Sequence, residues 1–261
     1  MSKKVNLLGA IPVVALLLIW ELCSQQEWIN PGLFPAPTAI FKEMANLLIK
    51  GWPFQSTLLI NISTTLLRLL SALIAGTCLG LLLGVLMGIN NQIFHFFNPL
   101  ISVLMPIPGL AFAPLFILWL GFGNPTIITL GAMSAFFPMV FSTAAGVRSV
   151  DRHLVWAARM MGAKAWQVIT KIYLPAASGF LVNGFKLGIA RGWMTVIAVE
   201  FVAATNWGLG YDIWTAAEFL RVDRVYGGIF LMILVYWLMD RLLVRTIENR
   251  TIKRWGMVSQ K

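Results

Sequence analysis

Long apolar runs alternate with short polar breaks along this chain, the pattern of helices that cross a bilayer. A crossing needs about 20 mostly apolar residues. Six segments approach or reach that length: 7–22, 66–89, 99–120, 126–147, 180–202 and 227–244. The expected fold is an all-α integral membrane protein of six transmembrane helices. It divides into an N-terminal transmembrane helix (1–27), an outer-face linker with an amphipathic helix (28–65), a core (66–249) that contains a charged loop at 150–175, and a cytoplasmic tail (250–261). In the linker, the turns at Asn30-Pro31-Gly32 and Pro35-Ala36-Pro37 precede Thr38. We expect Thr38 to cap a helix along the outer interface that carries Ile40, Phe41, Met44, Leu47 and Leu48.

The runs differ in kind. Ala72, Gly76, Gly80, Gly84 and Gly88 fall every fourth residue of the second, and Gly184, Gly188 and Gly192 repeat the spacing in the fifth. Small side chains along one stripe let a neighbouring backbone approach closely, so both stripes read as tight helix packing. The third run is interrupted by Pro99, Pro106, Pro108, Gly109 and Pro114. Irregular backbone at membrane depth is tolerated only where it is buried in protein or lines a wet cavity. Met105, Pro106, Pro108 and Phe112 are therefore candidates for a pathway wall, with Pro138 kinking the fourth run opposite; a purely structural kink is the alternative. The fifth run carries Lys186, Arg191 and Glu200. An arginine at mid-membrane costs about 2.5 to 3.5 kcal/mol on insertion scales, so Arg191 should face the bundle interior, a partner or an aqueous path. Attraction of an anion and an interhelical ion pair both fit. Glu200 lies nine residues further on, on the opposite side of the same helix, so direct pairing with Arg191 is not expected and a partner on another helix is the alternative; both residues join the pathway candidates.

Composition excludes a soluble domain: 59% of residues are hydrophobic, 11% are charged and mean hydropathy is +0.80. The first run, flanked by Lys3 and Lys4, has no small-residue cleavage site after it and reads as a retained helix. With the N-terminus inside, Arg148, Arg152, Arg159, Lys164 and Lys171 share one cytoplasmic loop. Arg241, Arg245, Arg250, Lys253 and Arg254 gather at a cytoplasmic end. The outer side keeps Lys42, Lys50, Arg68, Arg221 and Arg224, offset by Glu27, Glu43, Asp212, Glu218 and Asp223. The net charge of +10 thus expresses topology and contact with membrane lipid rather than nucleic-acid binding. Cys23 and Cys78 lack metal-ligand spacing, and His95 and His153 are isolated. No phosphate-binding loop, metalloprotease motif or nucleophile–His–Asp pattern occurs, so no catalytic residue, metal or bound cofactor is expected, and the chain does not hydrolyse ATP itself.

The loop at 150–175 reads VDRHLVWAARMMGAKAWQVITKIYLP. Asp151 or Ser149 can cap a helix to about Met161, Gly162 permits a turn, and a second helix from about Lys164 should end before Pro175. Leu154, Ala158 and Met161 share one face, suited to a partner groove; an amphipathic basic hairpin lying on the anionic inner leaflet is the alternative. The order Ala157-Ala158, three residues, Gly162, nine residues, Ile172-Tyr173-Leu174-Pro175 resembles the "EAA" loop of bacterial ABC importer permeases, with Trp156 where that pattern has Glu.

Three further stretches are similar to permeases of the nitrate, taurine and aliphatic sulfonate importer family: LMPIPGLAFAPLFILWLGFGNP (104–125), AFFPMVFSTAAGVRSVD (135–151) and GFKLGIARGWMTVIAVEFVAATNWGLGYDIWTAAEFLRVD (184–223). The resemblance implies a type I importer permease in the bacterial inner membrane, paired with a second copy and seated on a cytoplasmic ATPase dimer that holds ATP and Mg. An extracytoplasmic binding protein feeds it, with Trp214, Phe219 and Arg221 suited to that contact. It further implies that Asp151, Leu154, Trp156, Ala157, Ala158, Met161, Gly162, Ala163, Ile172, Leu174 and Pro175 form the coupling element. A sulfonate such as taurine leads as cargo, with nitrate, bicarbonate, an aromatic carboxylate and a vitamin precursor open. A secondary transporter is the rival reading, and a membrane scaffold a further one.

Overall fold

The computed structural model describes residues 7–50 and 58–251, all of whose regular elements are helical. Lys3, Lys4, Lys253 and Arg254 lie outside the described residues, as do the side chains of Leu47, Leu48, Lys50, Arg245 and Arg250. Helix α1 (Leu7–Gln25) is followed by α2 (Pro37–Lys50). Thr38 does not cap α2: Pro37 is its first helical residue, and the Thr38 N–H and hydroxyl donate to Glu21 of α1 at 3.0 and 2.6 Å. A carboxylate from the neighbouring helix thus satisfies a donor of the first turn and complements the helix dipole.

Helix α3 (Leu58–Ile89) begins eight residues before the predicted second run. Its first turns are polar, yet Asn61, Thr65 and Arg68 are buried against other parts of the protein rather than marking a membrane boundary. With α6 (Asn124–Arg148) and α10 (Ser178–Ala203), α3 builds the centre of the molecule, where Leu69, Leu73, Ile127, Leu130, Ile189 and Val196 pack together. The glycine stripe sets the spacing. A Cβ on Gly80 would lie 2.8 Å from Met139 Cβ, and one on Gly84 would lie 2.5 Å from Thr143 Cβ. The stripe on α10 repeats this at Gly184, against Ser142.

The third run is two helices. Asn90 caps α4 (Asn91–Leu104), its side chain accepting from the N–H groups of Gln92 and Ile93. After a break at 105–108, a short tight turn (Gly109–Phe112) leads into α5 (Ala113–Leu120), and the two arms are bent by 92°. Pro106 and Pro108 lack the N–H groups that a continuous ladder needs, whereas Pro114 occupies the first turn of α5, where no donor is required. Pro138 stays inside α6 without ending it.

The chain continues through α7 (Arg152–Met160), α8 (Ala165–Val168), α9 (Leu174–Ala176) and α10 to α11 (Leu209–Glu218) and α12 (Val222–Thr251). Glu43 of α2 receives Arg221 at 3.0 Å and Arg224 at 2.6 Å, clamping α2 to the start of α12. Among the described residues, α3, α6 and α12 are long and apolar enough to cross a membrane, and the bent α4–α5 pair adds a fourth. Helix α10 runs unbroken through Lys186, Arg191 and Glu200, whose charges keep it from being apolar enough to cross by composition; Glu200 is buried, Lys186 half-buried and Arg191 exposed.

Candidate functional site

Two regions gather the residues singled out in the sequence. The first is a hairpin. Asp151 caps α7, its carboxylate accepting from the His153 N–H at 2.8 Å, and Gly162 takes φ +83° where the chain reverses. At the second arm, the Gln167 side chain accepts from the Lys164 N–H at 2.8 Å. The arm does not stop before Pro175. A wide π turn at Ile169–Tyr173 leads into α9, which contains Pro175, and only a turn at Ala177 separates this from α10. The wider turn displaces the carbonyls that the proline ring would otherwise strike.

Val155 and Ala158 are buried against Val168, with Ala163, Ile172 and Tyr173 around them, so the hairpin has its own small core. Ala158 therefore does not share an outward face with Leu154 and Met161. It faces the second arm, while Leu154 is 56% and Met161 82% exposed. Trp156, Met160 and Trp166 are also exposed, and Ala157 joins them on the outer surface. Leu174 packs at the root of the hairpin near Val147 and Ala177. Trp156, where the motif has Glu, stacks edge-on against His153 and borders a recess of about 330 Å³ that also contains Arg148, Arg152 and Arg159. Arg148 is held by Asn91 at 2.9 Å and lies over the Phe94 ring, which ties the start of α4 to the end of α6.

The second region is the cavity at the break between α4 and α5, with a volume of about 390 Å³. Met105, Pro106, Pro108 and Arg191 all line it, together with Ser134 and Thr195. The Arg191 guanidinium donates to the Met105 carbonyl at 2.9 Å, and the Thr195 hydroxyl donates to Ser134 at 2.8 Å. Gly109 sits directly on that hydroxyl pair: a Cβ there would lie 2.5 Å from Ser134 Oγ and 2.7 Å from Thr195 Cγ2. Phe112 does not line the cavity and packs against the central core.

Glu200 is also elsewhere. It is fully buried and receives Arg68 at 2.7 Å, the Thr65 hydroxyl at 2.9 Å and the Gly210 N–H at 2.9 Å. Arg68 further donates to the Trp207 carbonyl at 2.6 Å and to Asn124 at 2.7 Å. Gly208, at φ +138°, passes so close that a Cβ would meet Glu200 Cδ at 2.6 Å. This network joins α3, α6, α10 and α11. It makes Glu200 a structural anchor rather than part of the cavity wall, because its charge is already matched by Arg68. Ser134, Thr195 and Arg68 escaped sequence reasoning; short hydroxyl side chains within apolar runs were the available signal for the first two.

Residues 76–251 match the family described as the binding-protein-dependent transport system inner membrane component. A taurine transport system permease protein of Escherichia coli (strain K12) is 31% identical over 99% of this chain and 93% of its own length. A putative aliphatic sulfonates transport permease protein of Bacillus subtilis (strain 168) is 30% identical over 94% and 86%. A putative ABC transporter permease protein of Methanocaldococcus jannaschii is 33% identical over 95% and 92%. An inward-facing structure of the MetNI methionine ABC transporter superposes with a TM-score of 0.58 at 21% identity, covering 73% of this chain and 95% of that one, which shows the shared fold. These matches, the broken helix and the exposed hairpin agree, and the chain belongs to the binding-protein-dependent inner membrane components, the ABC transporter permease subunits that carry no ATPase activity themselves.

Proposed function

We propose that this permease imports a small anion, with a sulfonate such as taurine as the leading cargo, by alternating access in an ATP-driven complex. The observation that carries the reading is the hairpin at 150–175. It has its own core, yet it leaves Leu154, Trp156, Met160 and Met161 uncovered beside a basic recess. An exposed apolar surface of this kind is suited to a partner groove.

In this reading two permease copies, each with six transmembrane helices and cytoplasmic termini, sit in the bacterial inner membrane on a dimer of ATPases that bind ATP and Mg. An extracytoplasmic binding protein delivers the cargo. ATP binding closes the ATPase dimer, the hairpin transmits that motion, and the cavity bordered by Met105, Pro106, Pro108 and Arg191 belongs to the path. Taurine and aliphatic sulfonates, for which two relatives are named, support the cargo assignment.

The test is co-expression with the cognate ATPase, purification through a tag on the permease, and ATPase assay with taurine-loaded binding protein. Retention of the ATPase and stimulation of hydrolysis are expected. Leu154→Glu combined with Met161→Glu should abolish retention, since both side chains are exposed and neither supports the hairpin core. Undiminished retention by that double variant refutes the docking surface. Taurine flux into liposomes without ATP refutes the importer reading itself.

A further inference from the structure

We infer that the cavity at the α4–α5 break is a built anion site, in which the Arg191 guanidinium and the Ser134–Thr195 hydroxyl pair hold the oxyanion head of a small sulfonate during its passage. The inference rests on the importer reading for its biological setting, but the site is defined by its own chemistry. Arg191 is on the cavity wall, and its donation to the Met105 carbonyl orients the guanidinium without neutralising it. Among the described residues, no Asp or Glu lines the cavity. The acid on the same helix, Glu200, is engaged by Arg68. The cavity therefore presents a positive charge, with guanidinium N–H groups beyond the one given to Met105.

Thr195 is one helical turn from Arg191 and lines the same cavity. Whichever of the two hydroxyls donates across the 2.8 Å Thr195–Ser134 bond, the other keeps a proton to donate. Gly109 brings the backbone of the break onto this pair and leaves no room for a side chain between them. The remaining walls, including Met133, Phe137 and Met194, are apolar. Apolar walls lower the local dielectric and strengthen the attraction of an anion for Arg191. They also suit a short hydrocarbon tail. One cation, one hydroxyl pair and an apolar wall in about 390 Å³ fit a small singly charged oxyanion with a short tail. A single cationic contact also permits release, which a transport site requires.

The site predicts that the permease itself, and not only the binding protein, selects for negative charge. Arg191→Gln keeps an N–H donor for the Met105 carbonyl but removes the charge, whereas Arg191→Lys keeps the charge. In proteoliposomes containing the whole complex, uptake of radiolabelled taurine per purified complex should fall about tenfold or more in Arg191→Gln, as expected when a charge-assisted hydrogen bond is lost, and recover in part in Arg191→Lys. A second measurement is independent of transport. Sodium methanesulfonate should raise the Tm of the detergent-solubilised wild-type permease above its value in sodium chloride of equal ionic strength, and should not do so in Arg191→Gln. Wild-type uptake by Arg191→Gln overturns the inference. So does methanesulfonate protection that is missing in the wild type or persists in the variant. If the wild-type complex shows no ATP-dependent taurine uptake, the proposed cargo fails, and the methanesulfonate measurement alone decides the site.

Discussion

Gly84→Ala adds one methyl group at a tight contact between α3 and α6. Its Cβ would lie 2.5 Å from Thr143 Cβ and 2.9 Å from the Val140 carbonyl oxygen. Neither neighbour is the free end of a flexible side chain, so relief requires the helices to part. Moving from 2.5 Å to the 3.4 Å at which ordinary contacts begin is a displacement of about 0.9 Å in a close-packed interface. Overpacking of this kind costs about 1–3 kcal/mol. Alanine returns about 0.5–1 kcal/mol through better helix propensity.

Gly192→Ala in α10 is the internal control. The atoms nearest to its new methyl are Leu73 Cδ2 at 3.4 Å and Leu69 Cδ1 at 3.5 Å, both at the tips of side chains, so nothing needs to move. Thermal unfolding of the purified permease, followed by size-exclusion fluorescence, should place Gly84→Ala about 2–8 °C below wild type. Gly192→Ala should fall at or slightly above wild type. A Gly84→Ala protein as stable as Gly192→Ala would refute the claim that the glycine stripe sets the distance between α3 and α6.

Two further outcomes follow from buried charge. Arg68→Met strands the fully buried Glu200 carboxylate and should cost about 3–5 kcal/mol, while Arg68→Met with Glu200→Met should recover much of that loss; equal stability of the single and double variants contradicts the pairing. Asp212 in α11 is pushed up to about 7 by burial, against the opposing pull of Arg224, and its Oδ1 has no hydrogen-bond partner among the described residues. The unfolded chain ionises this carboxyl near pH ~3.9. Stability should therefore fall as pH rises from about 4 to about 7, by at most ~1.4 kcal/mol per pH unit, and level off above. Asp212→Asn should remove this slope and raise Tm at pH ~8; an unchanged pH profile of Tm refutes it.

Local chemistry was legible in the sequence. The Asp151 cap, the Gly162 turn, the break at Pro106 and Pro108, and the spacing of Gly76, Gly80, Gly84 and Gly88 each depend on a few neighbouring residues. Pairings across long sequence distances were not. Arg68 and Glu200 are 132 residues apart, and only the packing of α3 on α10 makes Arg68 an interior residue instead of an outer-face charge. The outward face of the hairpin was misjudged for a similar reason. Helical periodicity groups Ala158 with Leu154 and Met161, but the second arm, beyond the turn, claims Ala158 for its core. The start of α2 depends on Glu21, a residue of a different helix. Met105, Pro106 and Pro108 were anticipated from backbone chemistry and Arg191 from the cost of a charge at membrane depth, whereas the Ser134–Thr195 pair needed α6 and α10 in place.

The stiffness of this molecule is unevenly distributed. Helices α3, α6 and α10 touch through glycines at Gly84, Gly146 and Gly184, where a Cβ would come within 2.5–2.7 Å of its neighbour, so they resist sliding and move as one block. The hairpin is joined to that block by nearly continuous helical backbone from Ala165 to Ala203. Compliance is left to the non-helical residues at 105–108, where the prolines have already removed the ladder. Under the proposed mechanism, a load applied at the hairpin would pass through this block and be taken up as a change of angle between α4 and α5, at the wall that Arg191 shares with Met105.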